Sequence, residues 1–151
     1  MDKIACGMIT EDYVSFETAK LLKEKGFDEY CKSAYHVGSV CSVASLGYHD
    51  NEGHGALIEE KQNSDFGKYD NAISAPTLQM TMKWLRDEKH YYIQVMLDGW
   101  ACGDHSGYYV VIQKTDSDFE MMLQDAVNEV FYQTYEEACE AGIRYCLENL
   151  I

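Results

Sequence analysis

The segment from residue 73 to residue 97 constrains the fold most, because a helix start, an amphipathic helix and a strand pattern follow one another in it. Pro76 is the only proline of the chain. Proline suits the first position of a helix, where its missing N–H has no intrahelical partner. We therefore predict a helix that begins at Pro76 and ends near residue 89. Its apolar face consists of Leu78, Met82 and Leu85 at helical spacing, flanked by Trp84.

Strand patterns and a second helix follow this segment. Residues 91–97 and 108–114 alternate with period two, and the ten residues between them include three glycines, so we predict an antiparallel hairpin. Residues 129–133 are predicted as a third strand. Thr134 and Glu137 then have the spacing of a capping box that starts a helix reaching to about residue 149. Gly142 inside that helix costs about 1 kcal/mol relative to alanine, which indicates that another element packs closely against it.

The N-terminal half has weaker patterns. We predict a helix over residues 14–27, with Ser15 as its N-cap and Gly26 at the left-handed C′ position. Residues 35–46 and 56–60 are predicted as a hairpin around the turn-like residues 50–53, and residues 62–71 as a connecting loop. Residues 117–127 are compatible with a helix capped by Ser117 and Glu120, or with a short strand at 121–124.

Together these elements predict a single α+β domain over residues 1–151. A chain of 151 residues is long enough to bury its own core. From Pro76 onward the predicted order is α-β-β-β-α. An antiparallel sheet in this order needs a cover on one face, and the two amphipathic helices that flank it are the natural cover.

The charge of the chain limits its partners. The formal net charge is −14, and residues 98–151 hold 11 acidic and two basic side chains. Such a surface repels phosphate groups, so we expect neither direct nucleic-acid binding nor membrane binding, whereas a basic protein remains a compatible partner. Double-stranded-RNA-binding domains share the α-β-β-β-α order, but the last helix here offers Arg144 alone against four glutamates.

The cysteines and the hydropathy indicate a cytoplasmic protein. The sequence shows no export signal, and no apolar run approaches the roughly 20 residues that cross a bilayer. We therefore expect reduced thiols rather than disulfides. The six cysteines are Cys6, Cys31, Cys41, Cys102, Cys139 and Cys146.

Three stretches of the chain carry a family resemblance. They are residues 14–28 (VSFETAKLLKEKGFD), 73–86 (ISAPTLQMTMKWLR) and 135–143 (YEEACEAGI). In sequence, order and spacing they resemble a group of short, acidic, uncharacterised proteins of gut anaerobic bacteria and their prophages. Residues 32–71 and 104–128 depart from that pattern. The resemblance implies a small cytoplasmic protein and no particular activity.

Few residues suggest chemistry. Cys102 and His105 lie close together in the predicted hairpin loop, but structural zinc needs four ligands and the spacing supplies no second pair. We therefore predict no metal, no cofactor and no catalytic residue. The aromatic residues are more informative, because alternation places Tyr91 and Tyr92 on opposite faces of the sheet. The candidate binding residues are Trp100, Tyr92, Tyr109, Cys102 and His105.

These observations lead to one main functional hypothesis and two alternatives. The main hypothesis is a small, non-enzymatic, cytoplasmic protein-binding domain of prophage or mobile-element character, which binds through its sheet face or its acidic C-terminal surface. The first alternative is an acidic inhibitor that mimics nucleic acid. The second is a small-ligand-binding domain or an enzyme that uses the loop containing Cys102 and His105. The sequence leaves the identity of the partner and the oligomeric state open.

Overall fold

The computed structural model describes residues 9–36, 42–45, 47–49, 56–58, 60–67, 71–99, 105–124 and 131–151. Within these residues the chain is α+β, and its C-terminal half has the predicted α-β-β-β-α order. The helices are α1 (Phe16–Glu24), α2 (Leu78–Lys89) and α3 (Tyr135–Tyr145), which continues as a π-helical turn over Cys146–Leu150. The strands are β1 (Ser33–His36), β2 (Ser42–Ser45), β3 (Gly47–His49), β4 (Ala56–Ile58), β5 (Ala72–Ser74), β6 (Tyr91–Gly99), β7 (His105–Lys114) and β8 (Glu120–Met122).

Helix α1 has the predicted caps at both ends. The Ser15 hydroxyl accepts the Thr18 N–H at 3.3 Å, which satisfies one of the free donors of the first turn. At the other end Gly26 is left-handed (φ +87°), and the Phe27 N–H donates to the Leu22 carbonyl at 2.8 Å. This is the Schellman arrangement, and it turns Phe27 into the core. The helix itself is shorter than the predicted 14–27.

The N-terminal strands correct the predicted hairpin. β1 is the central strand of an antiparallel sheet with order β2-β1-β5, and β3 pairs with β4 in a separate antiparallel ladder. The strand predicted at 56–60 is present as β4, but its partner is β3 (Gly47–His49) rather than residues 35–46, where β1 and β2 instead pair with each other. The predicted turn at 50–53 lies outside the described residues.

The segment predicted as a loop at 62–71 connects α1 to β5 through one buried side chain. It contains a 3-10 turn at Asn63–Asp65. Asn63 donates from Nδ2 to the Phe27 carbonyl at 2.9 Å and accepts the Ser74 N–H on Oδ1 at 3.0 Å. A single amide thus satisfies two buried backbone groups from different elements.

Helix α2 begins later than predicted. Thr77 is its N-cap, and the Thr77 hydroxyl accepts the Met80 N–H at 3.2 Å. Pro76 precedes the cap, and its carbonyl accepts the Val14 N–H at 3.1 Å. The prediction that the helix begins at Pro76 is wrong because Thr77 has a side-chain oxygen that can satisfy a free N–H of the first turn, and proline has none. The helix ends at Lys89, as predicted.

The C-terminal sheet has the order β6-β7-β8 and is antiparallel throughout. The predicted β6–β7 hairpin is confirmed, with Tyr91 opposite Lys114 and Leu97 opposite Tyr108. The third strand of this sheet within the described residues is β8 rather than the predicted segment 129–133. Its position selects the strand alternative for residues 120–122. Of the region predicted as the third strand, Tyr132 forms an isolated bridge with Tyr108, and residues 129 and 130 lie outside the described residues.

Helix α3 lies directly on β6 and β7. Its predicted capping box is present, since the Thr134 hydroxyl accepts the Glu137 N–H at 3.1 Å and Glu137 accepts the Thr134 N–H at 3.3 Å. A Cβ atom on Gly142 would lie 2.9 Å from Ile93 Cγ2 and 3.1 Å from Val110 Cγ1. This confirms the close packing predicted from the glycine.

A single carboxylate joins α3 to the start of α1. Glu140 Oε1 accepts the Ser15 N–H at 3.1 Å, the Ser15 hydroxyl at 2.5 Å and the Thr18 hydroxyl.

The helices and the C-terminal sheet share one apolar core. Its largest fully buried side chains include Phe27, Leu22, Leu85, Ile112, Leu123, Ile143, Leu147, Val14 and Val110.

Candidate functional site

Among the described residues, α2 and α3 pack on one face of the C-terminal sheet, and the other face has exposed side chains. Ile93, Val110 and Ile112 point toward α2 and α3 and are at most 2% exposed. Strand alternation places the neighbouring residues on the opposite side, which we call the outer face. Three of its side chains, Tyr92, Met96 and Met122, are 41–42% exposed. The outer face consists of Tyr92, Gln94 and Met96 on β6, Tyr109, Val111 and Gln113 on β7, and Glu120 and Met122 on β8.

A short polar row crosses the outer face. Gln94 Nε2 donates to Gln113 Oε1, and Gln113 Nε2 donates to Glu120 Oε2 at 2.6 Å. Each amide is thereby oriented by the next side chain in the row. Glu120 is the only charged side chain among the eight residues named above, and Asp98 lies on the same side at the far end of β6. The face is therefore apolar with a fixed line of hydrogen-bonding groups.

The tyrosines of β6 and β7 alternate as predicted. Tyr92 and Tyr109 lie on the outer face, where Tyr109 contacts the Phe131 ring edge-on with centroids 6.2 Å apart. Tyr91 and Tyr108 lie on the inner face and are half-buried against the core that contains Trp84. Phe131 adds to the apolar area of the outer face.

The remaining candidate residues are not brought together by the described structure. Trp100 and Cys102 lie outside the described residues. His105 is the first residue of β7 and pairs with Gly99, and nothing is described of its side chain. The exposed methionines Met96 and Met122 were missed in the sequence. Alternation from Tyr92 would have found Met96, but Met122 requires the position of β8.

Three of the four acidic side chains of α3 and the π-helical turn after it make intramolecular contacts. Glu137 belongs to the capping box, and Glu140 binds the start of α1. Glu148 forms an ion pair with Arg144 at 2.8 Å, and this pair raises the pKa of the Arg144 guanidinium. A carboxylate that accepts such bonds is less available to a basic partner. These contacts give the acidic helix face a structural role within the domain.

Three cysteines are buried in the described structure, Cys31, Cys139 and Cys146. Burial away from water raises the pKa of the Cys31 and Cys139 thiols to about 11 and that of Cys146 to about 12. A nucleophilic cysteine needs the opposite shift, because the thiolate is the reactive form. The described part of the chain also contains no group of three His, Cys, Asp or Glu side chains that could hold a metal ion.

We expect these buried thiols to be inert toward a disulfide reagent. In a variant with serine at Cys6, Cys41 and Cys102, the remaining thiols should react with dithionitrobenzoate at least about 100-fold more slowly in the native protein than in guanidinium chloride. Absorbance at neutral pH measures both rates. A native thiol that reacts at the unfolded rate would contradict the burial.

The same shifts make the fold sensitive to alkali. Above the ordinary thiol pKa of about 8.5 the unfolded chain releases its thiol protons. The folded chain keeps them up to a pKa of about 11. The unfolded state then binds fewer protons than the native state, so the free energy of unfolding falls as the pH rises from about 8.5 to 11.

Comparisons with known proteins add no relative. No protein-family model, curated protein or solved structure matches the chain. The resemblance to acidic proteins of gut anaerobes and their prophages stays a prediction. Among the described residues, no helix has the length and apolar character that crossing a membrane would require.

Proposed function

We propose that this chain is a protein-binding domain without catalytic activity, and that its partner binds the outer face of the C-terminal sheet. One observation carries the proposal. A three-stranded sheet with helices on one face leaves Tyr92, Met96 and Met122 exposed on the other. Aromatic residues and methionine are enriched where proteins contact one another. The thiol pKa values, which move away from reactivity, support a role in binding rather than in catalysis.

The charges around the outer face favour a partner with an apolar centre and basic side chains at its rim. Asp118 and Glu120 are exposed at one end of the face, in and next to the β7–β8 turn. Asp98 lies on the same side at the far end of β6. Rim charges of this kind steer a basic partner and lose strength when salt screens them. The acidic nucleic-acid mimic receives less support, because Glu137, Glu140 and Glu148 are engaged within the domain.

A capture experiment with matched variants tests the proposal. The wild-type chain, Met122→Ser and Tyr30→Ser are immobilised separately and exposed to an extract of the source organism. Tyr30 is 56% exposed and lies between α1 and β1, so it controls for the loss of an exposed apolar side chain outside the outer face. We expect the wild type and Tyr30→Ser to retain a protein from the extract. Met122→Ser should not retain it.

The captured protein is then purified and its affinity measured by calorimetry. Removal of an exposed apolar contact of the outer face should raise Kd at least about tenfold for Met122→Ser, and Tyr30→Ser should stay within about twofold of wild type. Raising the salt concentration should weaken the wild-type complex. A chain that retains nothing above the empty resin, or equal retention by wild type and Met122→Ser, would overturn the proposal.

A further inference from the structure

Within the described part of the chain, one edge of strand β6 is unpaired, and we call it the free edge. In an antiparallel ladder, successive residues direct their N–H and C=O groups alternately to the two sides of the strand. The Thr115 N–H donates to the His90 carbonyl at 2.7 Å. The backbone N–H and C=O groups of the even-numbered residues of β6 therefore point toward β7. Ile93, Val95 and Leu97 therefore direct their backbone groups away from β7. Within the described residues, no strand pairs with that side and no hydrogen bond reaches those groups.

The free edge lacks the usual protection. Soluble proteins guard exposed edges with lysine, proline, a bulge or a short strand. β6 has nine residues, and residues 91–97 contain no lysine, no proline and no charged side chain. The only irregularity of the ladder falls at its far end, between Asp98 and Gly99. Such an edge is a template for a further strand.

An open groove runs beside this edge. Its wall on the helix side consists of Gln79, Met82 and Arg86 of α2 with Tyr135 of α3, and its floor is the β6 segment 92–96. The groove contains one cation and no carboxylate, although the chain as a whole carries a net charge of −14. Arg86 already pairs with Asp87 at 3.1 Å, so the lining offers no free carboxylate to a basic peptide. The edge and its groove instead favour an uncharged, apolar strand.

We propose that a second copy of this chain adds its own β6 to this edge in antiparallel orientation, forming a two-fold symmetric dimer. The sequence of β6 is self-complementary in a register that the backbone allows. When Gln94 lies opposite Gln94 of the second copy, the outward-facing Ile93 and Val95 form hydrogen-bonded pairs across the axis. Tyr92 of each copy then lies opposite Met96 of the other copy. The two-fold axis therefore generates two contacts between an aromatic ring and a thioether.

The dimer has a defined shape. A two-fold axis perpendicular to the sheet joins two three-stranded sheets into one continuous sheet and keeps both outer faces on the same side. The α2 helices then approach on the other side, where Gln79 of one copy faces Arg86 of the other and Met82 lies between them. This inference does not depend on the proposed partner of the outer face, because it rests on the edge of β6 and its groove.

Sedimentation velocity with two variants at one position tests the dimer. Leu97 is 55% exposed, and its N–H points outward, so Leu97→Pro removes an edge donor and places a ring against the incoming strand. Leu97→Ala shortens the same side chain and keeps the N–H. We expect the wild type and Leu97→Ala to form dimers at protein concentrations up to about 100 µM. Leu97→Pro should raise the dimer Kd at least about tenfold.

A charge pair at the axis provides a test that does not depend on proline. Gln94→Lys and Gln94→Glu each place like charges opposite each other at the axis, so each variant alone should be monomeric. An equal mixture of the two should dimerise again. Circular dichroism checks that each variant is folded.

Salt separates this dimer from the binding of a basic partner. Two copies of a −14 chain repel one another, so raising NaCl from about 0.05 to 0.5 M should tighten the dimer, whereas it should weaken a complex with a basic partner. Met122→Ser should leave the dimer Kd unchanged, because Met122 lies on β8, two strands from the edge. A wild-type chain that stays monomeric at about 100 µM and 0.5 M NaCl would overturn the proposal. So would unchanged dimerisation of both folded Gln94 variants.

Discussion

Replacing Gly107 with alanine is expected to lower the free energy of unfolding by about 3–5 kcal/mol. Gly107 has φ +127°, a conformation that side-chain-bearing residues rarely adopt. A Cβ atom there would also lie 2.3 Å from the Tyr132 carbonyl oxygen. That oxygen cannot retreat freely, because the Tyr108 N–H donates to it at 2.8 Å. Guanidinium chloride denaturation followed by circular dichroism measures the change.

Gly26→Ala is the matched control for this substitution. Gly26 also has a positive φ of +87°, but nothing lies within 4 Å of a Cβ atom placed on it. Its replacement should therefore lower the free energy of unfolding only by the backbone strain, which is about 1–2 kcal/mol. Equal costs for the two alanine variants would show that the Gly107 site relaxes, and would contradict the contact between β7 and residue 132.

Replacing Trp84 with alanine is expected to cost about 3–5 kcal/mol of unfolding free energy. Trp84 is 6% exposed and contacts the Phe27 ring edge-on, with centroids 5.4 Å apart. The substitution therefore removes a large buried surface and an aromatic pair that contributes about 0.5–1.5 kcal/mol of its own. Urea denaturation followed by far-UV circular dichroism measures the loss without relying on tryptophan fluorescence.

Tyr92→Ala is the aromatic control for the Trp84 variant. Tyr92 is 41% exposed on the outer face, so its removal should change the unfolding free energy by no more than about 1 kcal/mol. A loss as large as that of Trp84→Ala would mean that the Tyr92 ring is needed for stability. It would then be a poor candidate for a binding residue.

Local signals in the sequence predicted the elements that local chemistry determines. The caps at Ser15 and Thr134 and the close packing at Gly142 were correct because each depends on residues within one turn of a helix or on one missing side chain. The β6–β7 hairpin was correct because both strands alternate clearly. The start of α2 was wrong by two residues, since proline and threonine both suit a helix start and only the side-chain contact decides between them.

The strands that were misplaced pair with partners that are distant in the sequence. β1 is held between β2 and β5, and β5 is too short to stand out in the sequence. β8 has three residues. Its sequence is compatible with a helix or a strand until its partner Val111–Gln113 is known.

The outer face was predicted in part. Alternation alone placed Tyr91 and Tyr92 on opposite faces, and the register of β6 and β7 then places Tyr109 on the same face as Tyr92. The Gln94–Gln113–Glu120 row could not be predicted, because it requires the stagger among three strands rather than the pattern within any one of them. The free edge of β6 was also missed, since a sequence shows which residues can form a strand and not which strand lies last in a sheet.

The contact between Glu140 and Ser15 has a consequence for how the chain is made. The carboxylate that accepts bonds from the start of α1 comes 125 residues later in the sequence. Because a ribosome delivers the N-terminus first, α1 emerges long before this acceptor exists outside the exit tunnel. The nascent chain therefore completes the amino end of α1 only after Glu140 has emerged, and a chain truncated between Ser15 and Glu140 lacks the carboxylate that accepts these bonds.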